Sequence, residues 1–157
     1  MAIYCFDTNA LIEPWNNYWR PDMVPDYWDI LADLGHQKRL FCPEEVEREI
    51  HKQGDDLSEW LKVNKQIVQP ITQGIEKKVR EVLKQFPALI NVGKGRSMAD
   101  PWVIAHASAS GAIVVTKEVL TGSSTKYRIP DVCKNLSIEC IDDFEFSKRE
   151  NIKFKKV

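Results

Sequence analysis

The sequence predicts a three-layer α/β/α fold in which helices cover both faces of a mostly parallel central sheet. Short apolar runs such as Ala2–Phe6 and Ala112–Thr116 have the length and composition of buried strands. Longer stretches with helical spacing of apolar residues lie between such runs, so strands and helices alternate along the chain. A chain of 157 residues, 43% of them hydrophobic, suits one such domain, and two full domains are not expected. Together these observations imply βαβ units around one core.

The first part of the chain predicts two strands separated by an irregular excursion and a helix. The strand Ala2–Phe6 stops at the polar segment Asp7–Asn9, whose side chains suit the start of a helix. The segment Trp15–Asp29 is rich in aromatic residues, proline and aspartate, which predicts irregular structure. It leads into a helix over Pro25–Gly35, with the glycine as its C-cap. Arg39–Cys42 then predicts a second strand.

The middle of the chain is predicted to be helical. Pro43 suits a first helical turn, and Glu44–Lys52 continues as an acidic helix whose apolar positions are four residues apart. The segment Leu57–Pro87 carries a helical apolar stripe in two parts, interrupted near Pro70 and Gly74. No strand is expected between these helices.

The last third predicts a helix, a strand, a short helix and a closing strand. The helix runs over Asp100–Ser110, with Asp100 in the N-cap position, proline at the first helical position and a glycine after its end. Ala112–Thr116 is the clearest buried strand of the sequence. Pro130–Asn135 predicts the short helix and Leu136–Ile141 the closing strand.

Composition argues against several classes of protein. A formal net charge of −1 does not suit a protein that coats nucleic acid by bulk electrostatics, although it permits a small site. Apolar runs fall short of the roughly 18 residues that a membrane span needs, and the start lacks a signal-peptide pattern, so we expect a cytoplasmic protein. The four cysteines and three histidines lack metal-ligand spacing, which predicts buried free thiols rather than zinc or disulfides.

Charge is uneven near the C-terminal end. The stretch 148–157 contains five lysine or arginine residues and a single acid, Glu150. We therefore predict a domain over residues 1–147 followed by a basic, solvated tail over residues 148–157.

Four acids are predicted to approach one edge of the sheet, where ligands bind in open parallel sheets. Asp7 and Glu118 each follow a predicted strand. Asp100 begins the helix that leads into the strand Ala112–Thr116, and Glu49 lies on the helix after the second strand. Each also has a structural explanation taken alone, because Asp7 and Asp100 suit helix caps and Glu118 suits an ordinary loop. Glu49 belongs to a glutamate cluster that suits a solvated face.

Taken together, the four acids indicate a metal site. Carboxylates brought together repel one another unless a cation neutralises them, and hard oxygen ligands suit Mg²⁺ or Mn²⁺. Such ions can activate water and stabilise the transition state of phosphodiester hydrolysis. No histidine, serine or cysteine nucleophile would then be required.

Four segments, in this order, resemble the motifs of PIN-domain ribonucleases: FDTNALI at 6–12, PEEVEREI at 43–50, ADPWVIAHA at 99–107 and GAIVVTKE at 111–118. The set covers most of the chain, and its order is more specific than any single motif. The resemblance implies a PIN-like fold and a metal-dependent endoribonuclease, similar to VapC toxins of bacterial toxin–antitoxin pairs. Such an enzyme leaves a 5′-phosphate and a 3′-hydroxyl.

The resemblance also implies roles for individual residues. Four acids occupy the positions that hold Mg²⁺ or Mn²⁺ in family members: Asp7, Glu49, Asp100 and Glu118. Three polar residues occupy supporting positions near them: Thr8, Asn9 and Thr116. Glu45 and Glu47 remain alternatives to Glu49. Glu118 stands where the family usually has aspartate, which indicates a divergent subfamily and leaves open whether one or two metal ions bind.

Partners are implied by the same resemblance. The substrate is expected to be RNA, with Lys94, Arg96 and Arg20 as candidate phosphate contacts. The aromatic residues of the first excursion could stack on bases, or they could pack that excursion. A protein antitoxin that covers the acidic groove and a homodimer are also implied.

Two other functions remain open at this level. A housekeeping RNA-processing nuclease would share the site but would not arrest growth when it is expressed. A binding module that keeps the fold but has lost cleavage is the alternative from another class, and it is motivated by Glu118 in the fourth acidic position.

Overall fold

A computed structural model describes residues 1–90 and 98–157, and it confirms the predicted fold class. A five-stranded sheet has the order β3-β2-β1-β4-β5, and each of its four pairings is parallel. The strands are β1 (Tyr4–Phe6), β2 (Leu40–Pro43), β3 (Val68–Gln69), β4 (Ile113–Val115) and β5 (Cys140–Ile141). The α-helices of the described residues are α1 (Asn9–Asn16), α2 (Pro25–His36), α3 (Glu44–Gln53), α4 (Asp56–Val63), α5 (Gln73–Gln85), α6 (Asp100–Ser110), α7 (Ile129–Asn135) and α8 (Asp143–Arg149).

The first strand lies at the centre of the sheet and is completely buried. Tyr4 pairs with Leu40 on one side and with Ile113 on the other. All three residues of β1 are buried because helices cover both faces of the sheet, which explains the continuous apolar run in the sequence. Because β1 and β4 are parallel neighbours, their carboxyl ends lie side by side at the same edge of the sheet.

The prediction that residues 57–87 contain only helices is wrong. After α4, a short 3₁₀ turn leads into β3, and Val68 of this strand pairs with Cys42 of β2. A strand of two residues is too short to produce an alternating pattern, and its neighbours Pro70 and Gly74 resemble an interruption between helices. Gly74 itself lies inside α5.

Gly35 has a different role from the predicted C-cap. The helix α2 continues through His36 and ends at Gln37. Gly35 is buried, and a Cβ atom placed on it would lie only 2.7 Å from Cγ1 of Ile67. The glycine therefore allows α2 to approach the 3₁₀ turn closely.

We expect Gly35→Ala to destabilise the protein by about 1–3 kcal/mol, because the added methyl group forces α2 away from Ile67. Urea unfolding followed by circular dichroism measures this change. The matched control is Gly74→Ala in α5, where the nearest atom to a new Cβ is Thr72 Oγ1 at 3.9 Å. That helical substitution should be neutral or stabilise by up to about 1 kcal/mol. Equal stability of the two variants would contradict the close-packing role.

The aromatic residues of the first excursion pack against the body of the protein. The Trp15 ring lies 4.7 Å from that of Trp28 and 6.1 Å from that of Trp60. The Trp28 indole donates a hydrogen bond of 2.6 Å to the carbonyl of Trp19. These contacts favour the packing interpretation of this segment over base stacking.

The cysteines are free thiols, and three of them are buried in the core, as the sequence predicted. The fourth, Cys140, is half-buried.

The C-terminal segment contacts the amino edge of the sheet. Glu150 accepts a 2.7 Å hydrogen bond from the Tyr4 hydroxyl and a 2.8 Å ion-paired bond from Arg39. Beyond it, Ile152 packs against the core and the Phe154 ring lies 5.1 Å from that of Trp19. The predicted domain boundary at residue 147 falls within α8 and stays a prediction. None of the helices in the described ranges combines the length and apolar character that a membrane span needs.

Candidate metal centre

Three carboxylates meet at the carboxyl edge of the sheet, each from a different element. Asp7 follows β1, Asp100 is the first residue of α6, and Glu118 lies three positions after β4. One oxygen atom from each of the three lies within 4.8 Å of the others. Asp100 is not the N-cap that the sequence predicted, because Ala99 holds that position and Asp100 already belongs to the first turn of α6. The start of α6 therefore directs a carboxylate into the cluster.

Asp7 is buried, with 2% of its surface exposed, and lies at the centre of this arrangement. Its Oδ1 accepts a 2.8 Å hydrogen bond from the Thr8 amide, and its Oδ2 accepts one of 2.8 Å from the Thr116 hydroxyl. The pKa of Asp7 is raised from 3.8 to about 7, mainly by burial and secondly by the negative charge of Glu118. The two hydrogen bonds lower this pKa but do not cancel the increase. The site therefore concentrates negative charge that only a cation or a proton can balance.

Glu49 lies beside the other acids in the same cavity, which has a volume of about 290 Å³. Its Oε2 accepts a 2.7 Å hydrogen bond from the Thr8 hydroxyl, and its Oε1 accepts one of 3.2 Å from the Ala99 amide. The two alternative glutamates contact other parts of the protein, since Glu45 pairs with Arg48 and Glu47 pairs with Lys65. Of the three glutamates, Glu49 is the one that lines the cavity.

Hydrogen bonds fix the exit of β4, that is, the segment 116–118 that follows this strand. The Glu118 amide donates to the Thr116 hydroxyl at 3.1 Å, and its Oε2 accepts a 2.9 Å hydrogen bond from the Ile129 amide. Asn9 Oδ1 accepts a 2.8 Å hydrogen bond from the Lys117 amide and lies 3.2 Å from the Thr116 hydroxyl. Of the three supporting residues predicted from the sequence, Thr8 and Thr116 thus contact the acids or their backbone, and Asn9 contacts the two residues before Glu118.

The donor set fits a divalent cation of the hard type. The three side chains of the cluster each offer a carboxylate oxygen as metal ligand, and Mg²⁺ and Mn²⁺ prefer such ligands. Two oxygens on opposite sides of one Mg²⁺ lie about 4.2 Å apart, because each Mg–O distance is about 2.0–2.1 Å. The oxygens of the cluster lie within 4.8 Å of one another, so small side-chain shifts bring them to the spacing of a shared ion. Asp7, Asp100 and Glu118 would hold it, with Glu49 in the same cavity.

We expect Mn²⁺ to stabilise the folded protein, because the ion binds a site that the unfolded chain lacks. At a concentration a hundred times its Kd, one ion adds about 2.7 kcal/mol, or roughly 5–10 °C in Tm for a domain of this size. Differential scanning fluorimetry with Mn²⁺, and then with excess EDTA, measures the shift and its reversal. An unchanged Tm at millimolar Mn²⁺ would contradict the metal site.

A family model described as a domain of unknown function, DUF4411, matches residues 4–154. The chain belongs to this family. The DUF4411 chain is also similar to a solved structure, the crystal structure of VapBC2 from Rickettsia felis bound to a DNA fragment from their promoter. The two share 17% sequence identity, the match covers 89% of this chain and 98% of the other, and the TM-score is 0.51. This similarity confirms the PIN-like fold. No curated protein matches the DUF4411 chain at a significant level.

The predicted RNA contacts of the DUF4411 chain lie outside the acidic cavity or outside the described residues. Arg20 lines a separate cavity of about 310 Å³ with Trp15 and Asp56, and its guanidinium lies 3.3 Å from Asp22. Lys94 and Arg96 fall in the stretch 91–97, outside the residues that the structure describes. The three basic residues therefore stay predictions.

Two residues that the sequence analysis did not select also line the acidic cavity, namely Ile12 and Glu13. They lie three and four positions after Asn9 on α1, so one face of this helix borders the site. Helical spacing from Asn9 is the signal that would have identified them.

Proposed function

We propose that the protein is an Mg²⁺- or Mn²⁺-dependent endoribonuclease that hydrolyses RNA phosphodiester bonds, and that it is the toxin of a type II toxin–antitoxin pair. The observation that carries the proposal is the approach of Asp7, Asp100 and Glu118 within 4.8 Å at the carboxyl edge of a PIN-like sheet. A cluster of oxygen ligands at this edge, with no basic residue hydrogen-bonded to Asp7 among the described residues, suits metal-assisted hydrolysis.

The acids have two kinds of task in this proposal. Asp7, Asp100 and Glu118 hold the cation, and Glu49 adds negative charge from the wall of the same cavity. The cation, when bound, supplies Lewis-acid activation of the phosphate and a lowered pKa for the attacking water. The products are a 5′-phosphate and a 3′-hydroxyl.

The chain's own hydrogen bonds prepare this chemistry. The Thr116 hydroxyl and the Thr8 amide each donate to one oxygen of Asp7, so the carboxylate orientation is fixed before a ligand arrives. Because the pKa of Asp7 is about 7, cation binding near neutral pH releases the proton that this carboxyl partly retains. Cation affinity should therefore increase with pH through this range.

The partners in the proposal are RNA, a protein antitoxin and a second copy of the chain, in the cytoplasm. Similarity to the VapBC2 structure supports the antitoxin. A basic side chain of that partner would be attracted to the acidic cavity. Arg20, Lys94 and Arg96 remain the proposed phosphate contacts.

A catalytically inactive binding module is the second candidate, and the hydrogen bonds of the site support it. Both oxygens of Glu49 and one oxygen of Glu118 already accept hydrogen bonds from the protein. These bonds reduce the ligand capacity left for a second ion. Such a module would bind Mn²⁺ or RNA without cleaving.

The deciding experiment incubates a mixed bacterial RNA pool with purified, antitoxin-free protein in Mg²⁺, Mn²⁺ or EDTA. Discrete products that appear with metal and disappear with EDTA would support the nuclease. The matched pair Glu49→Gln and Glu45→Gln lies on one helix, and only the first should reduce cleavage. Folded protein that cleaves nothing in either metal would replace the nuclease with the binding module. Growth arrest on expression distinguishes a toxin from a processing enzyme.

A further inference from the structure

A buried ion pair lies next to the acidic cluster and is not explained by it. Lys117 Nζ donates to Asp143 Oδ1 at 2.7 Å, and the exposed fractions of the two side chains are 15% and 0%. Lys117 follows β4 by two positions and Asp143 follows β5 by two positions. Since β4 and β5 pair in parallel, the ion pair joins the segments that follow two neighbouring strands, at the edge of the sheet that carries the acids.

The surroundings of the pair hold both charges in place. The Tyr18 hydroxyl donates to Asp143 Oδ2 at 2.6 Å, so each carboxylate oxygen has a donor. The Lys117 ammonium also lies 4.4 Å from the centre of the Phe144 ring and 5.3 Å from that of Tyr18. Buried ion pairs often stabilise a fold no better than apolar residues of the same volume, so stability alone gives little reason for this arrangement. Geometric specificity gives a better one.

The geometry that the pair controls is the path of three consecutive residues. Thr116 donates to Asp7 at 2.8 Å, and the Lys117 amide donates to Asn9 Oδ1 at 2.8 Å. Glu118 comes immediately after them and directs one oxygen into the cluster. The side chain of Lys117 is a further anchor of this segment, because it ties the backbone to Asp143 at the start of α8.

We propose that Lys117 is a positioning residue, whose ammonium, held by Asp143 and Tyr18, fixes the exit of β4 so that Glu118 reaches Asp7 and Asp100. Lys117 thereby sets the affinity of the site for a divalent cation. This inference rests on the metal centre of the proposed function. Lys117 does not serve as a phosphate contact, because its ammonium is turned into the protein towards Asp143.

The test compares two cations that occupy equivalent settings at opposite edges of the sheet. Lys117 pairs with an aspartate that a tyrosine hydroxyl also contacts, and Arg39 pairs with Glu150, which the Tyr4 hydroxyl contacts. Lys117→Met and Arg39→Met each remove a partly buried cation and keep an unbranched apolar side chain. Both should lower the melting temperature, but only Lys117→Met changes the geometry of Glu118.

The readout is the Kd for Mn²⁺, measured by titration calorimetry on protein that circular dichroism shows to be folded. Loss of an orienting contact behind a metal ligand typically weakens metal binding by about 10–100-fold, so Lys117→Met should raise the Kd at least about tenfold. Arg39→Met should leave the Kd unchanged. Asp143→Asn is the second variant, keeps the size of the side chain, and should shift the Kd in the same direction.

Each result separates this inference from the proposed function. Wild-type Kd values in folded Lys117→Met and Asp143→Asn would overturn the positioning role and leave the metal centre intact. Absence of Mn²⁺ binding by the wild-type protein would overturn the metal centre and the positioning role together. Failure of both variants to fold at 10 °C would show that the pair serves the fold itself, and it would also overturn the inference.

Discussion

Asp7→Asn should abolish metal-dependent RNA cleavage and make the metal-free protein more stable at neutral pH and above. The substitution removes a carboxylate from the centre of the cluster while keeping its size and its ability to accept from Thr116. Losing several kcal/mol of metal-assisted stabilisation corresponds to a rate loss on the order of a thousandfold. An RNA cleavage assay with Mn²⁺ measures that loss.

The stability effect is a consequence of the pKa of Asp7. This pKa is about 7 in the folded protein against 3.8 ordinarily, so the folded state favours the protonated carboxyl. The contribution of Asp7 to the stability of the metal-free wild type is therefore greatest below about pH 4. This contribution is lost as the pH rises through about 7. Asparagine does not ionise, so Asp7→Asn should gain on the order of 1–3 kcal/mol over the wild type at about pH 8.

Thermal unfolding in EDTA across about pH 4–8 measures this difference. Asp22→Asn is the control, because Asp22 is exposed and pairs with Arg20 at the surface. Its pH profile should match that of the wild type. A variant at Asp7 that fails to fold would instead assign this residue to the start of α1.

Arg39→Met should cause a large loss of stability, well above that of a substitution at an exposed charged residue. It leaves Glu150 with the Tyr4 hydroxyl but without its cation, in a setting where the carboxylate side chain is 14% exposed. Breaking one side of a buried pair costs about 3 kcal/mol or more. Urea unfolding measures this change in the free energy of unfolding.

Arg20→Met provides the matched comparison for that prediction. The side chains of Arg20 and Asp22 are 53% and 64% exposed, and surface pairs contribute at most about 1 kcal/mol. Similar destabilisation by the two variants would show that the Arg39 pair behaves as a surface contact. In that case the C-terminal segment would contribute little to the stability of the sheet.

The parts of the fold that the sequence predicts well are those with strong local patterns. Ala112–Thr116 and Pro130–Asn135 show their type through apolar runs and a proline at the first turn, and the structure has β4 and α7 there. The parts that were predicted wrongly depend on distant contacts. The two residues of β3 form a strand only because β2 lies beside them, and Gly35 is required by Ile67, which lies 32 positions later along the chain.

The candidate site shows the same division between local and distant information. The acids at the ends of strands could be selected because the first residues after each parallel strand lie at the same edge of the sheet. The ion pair of Lys117 and Asp143 could not be selected, because its members lie 26 positions apart and each resembles an ordinary surface charge in the sequence. Burial of a charge leaves no periodic signal, so only the folded structure reveals it.

The central position of β1 has a consequence for the order in which the protein becomes competent during synthesis. Thr116 and Asp7 form a hydrogen bond across 109 positions, so β1 leaves the ribosome long before the strand that completes its pairing. Contacts of such long sequence separation form late because closing the intervening loop costs entropy. A nascent chain therefore carries Asp7 without Glu118 while the residues between them are made, and the acidic cluster cannot assemble until β4 and the residue Glu118 after it have been translated.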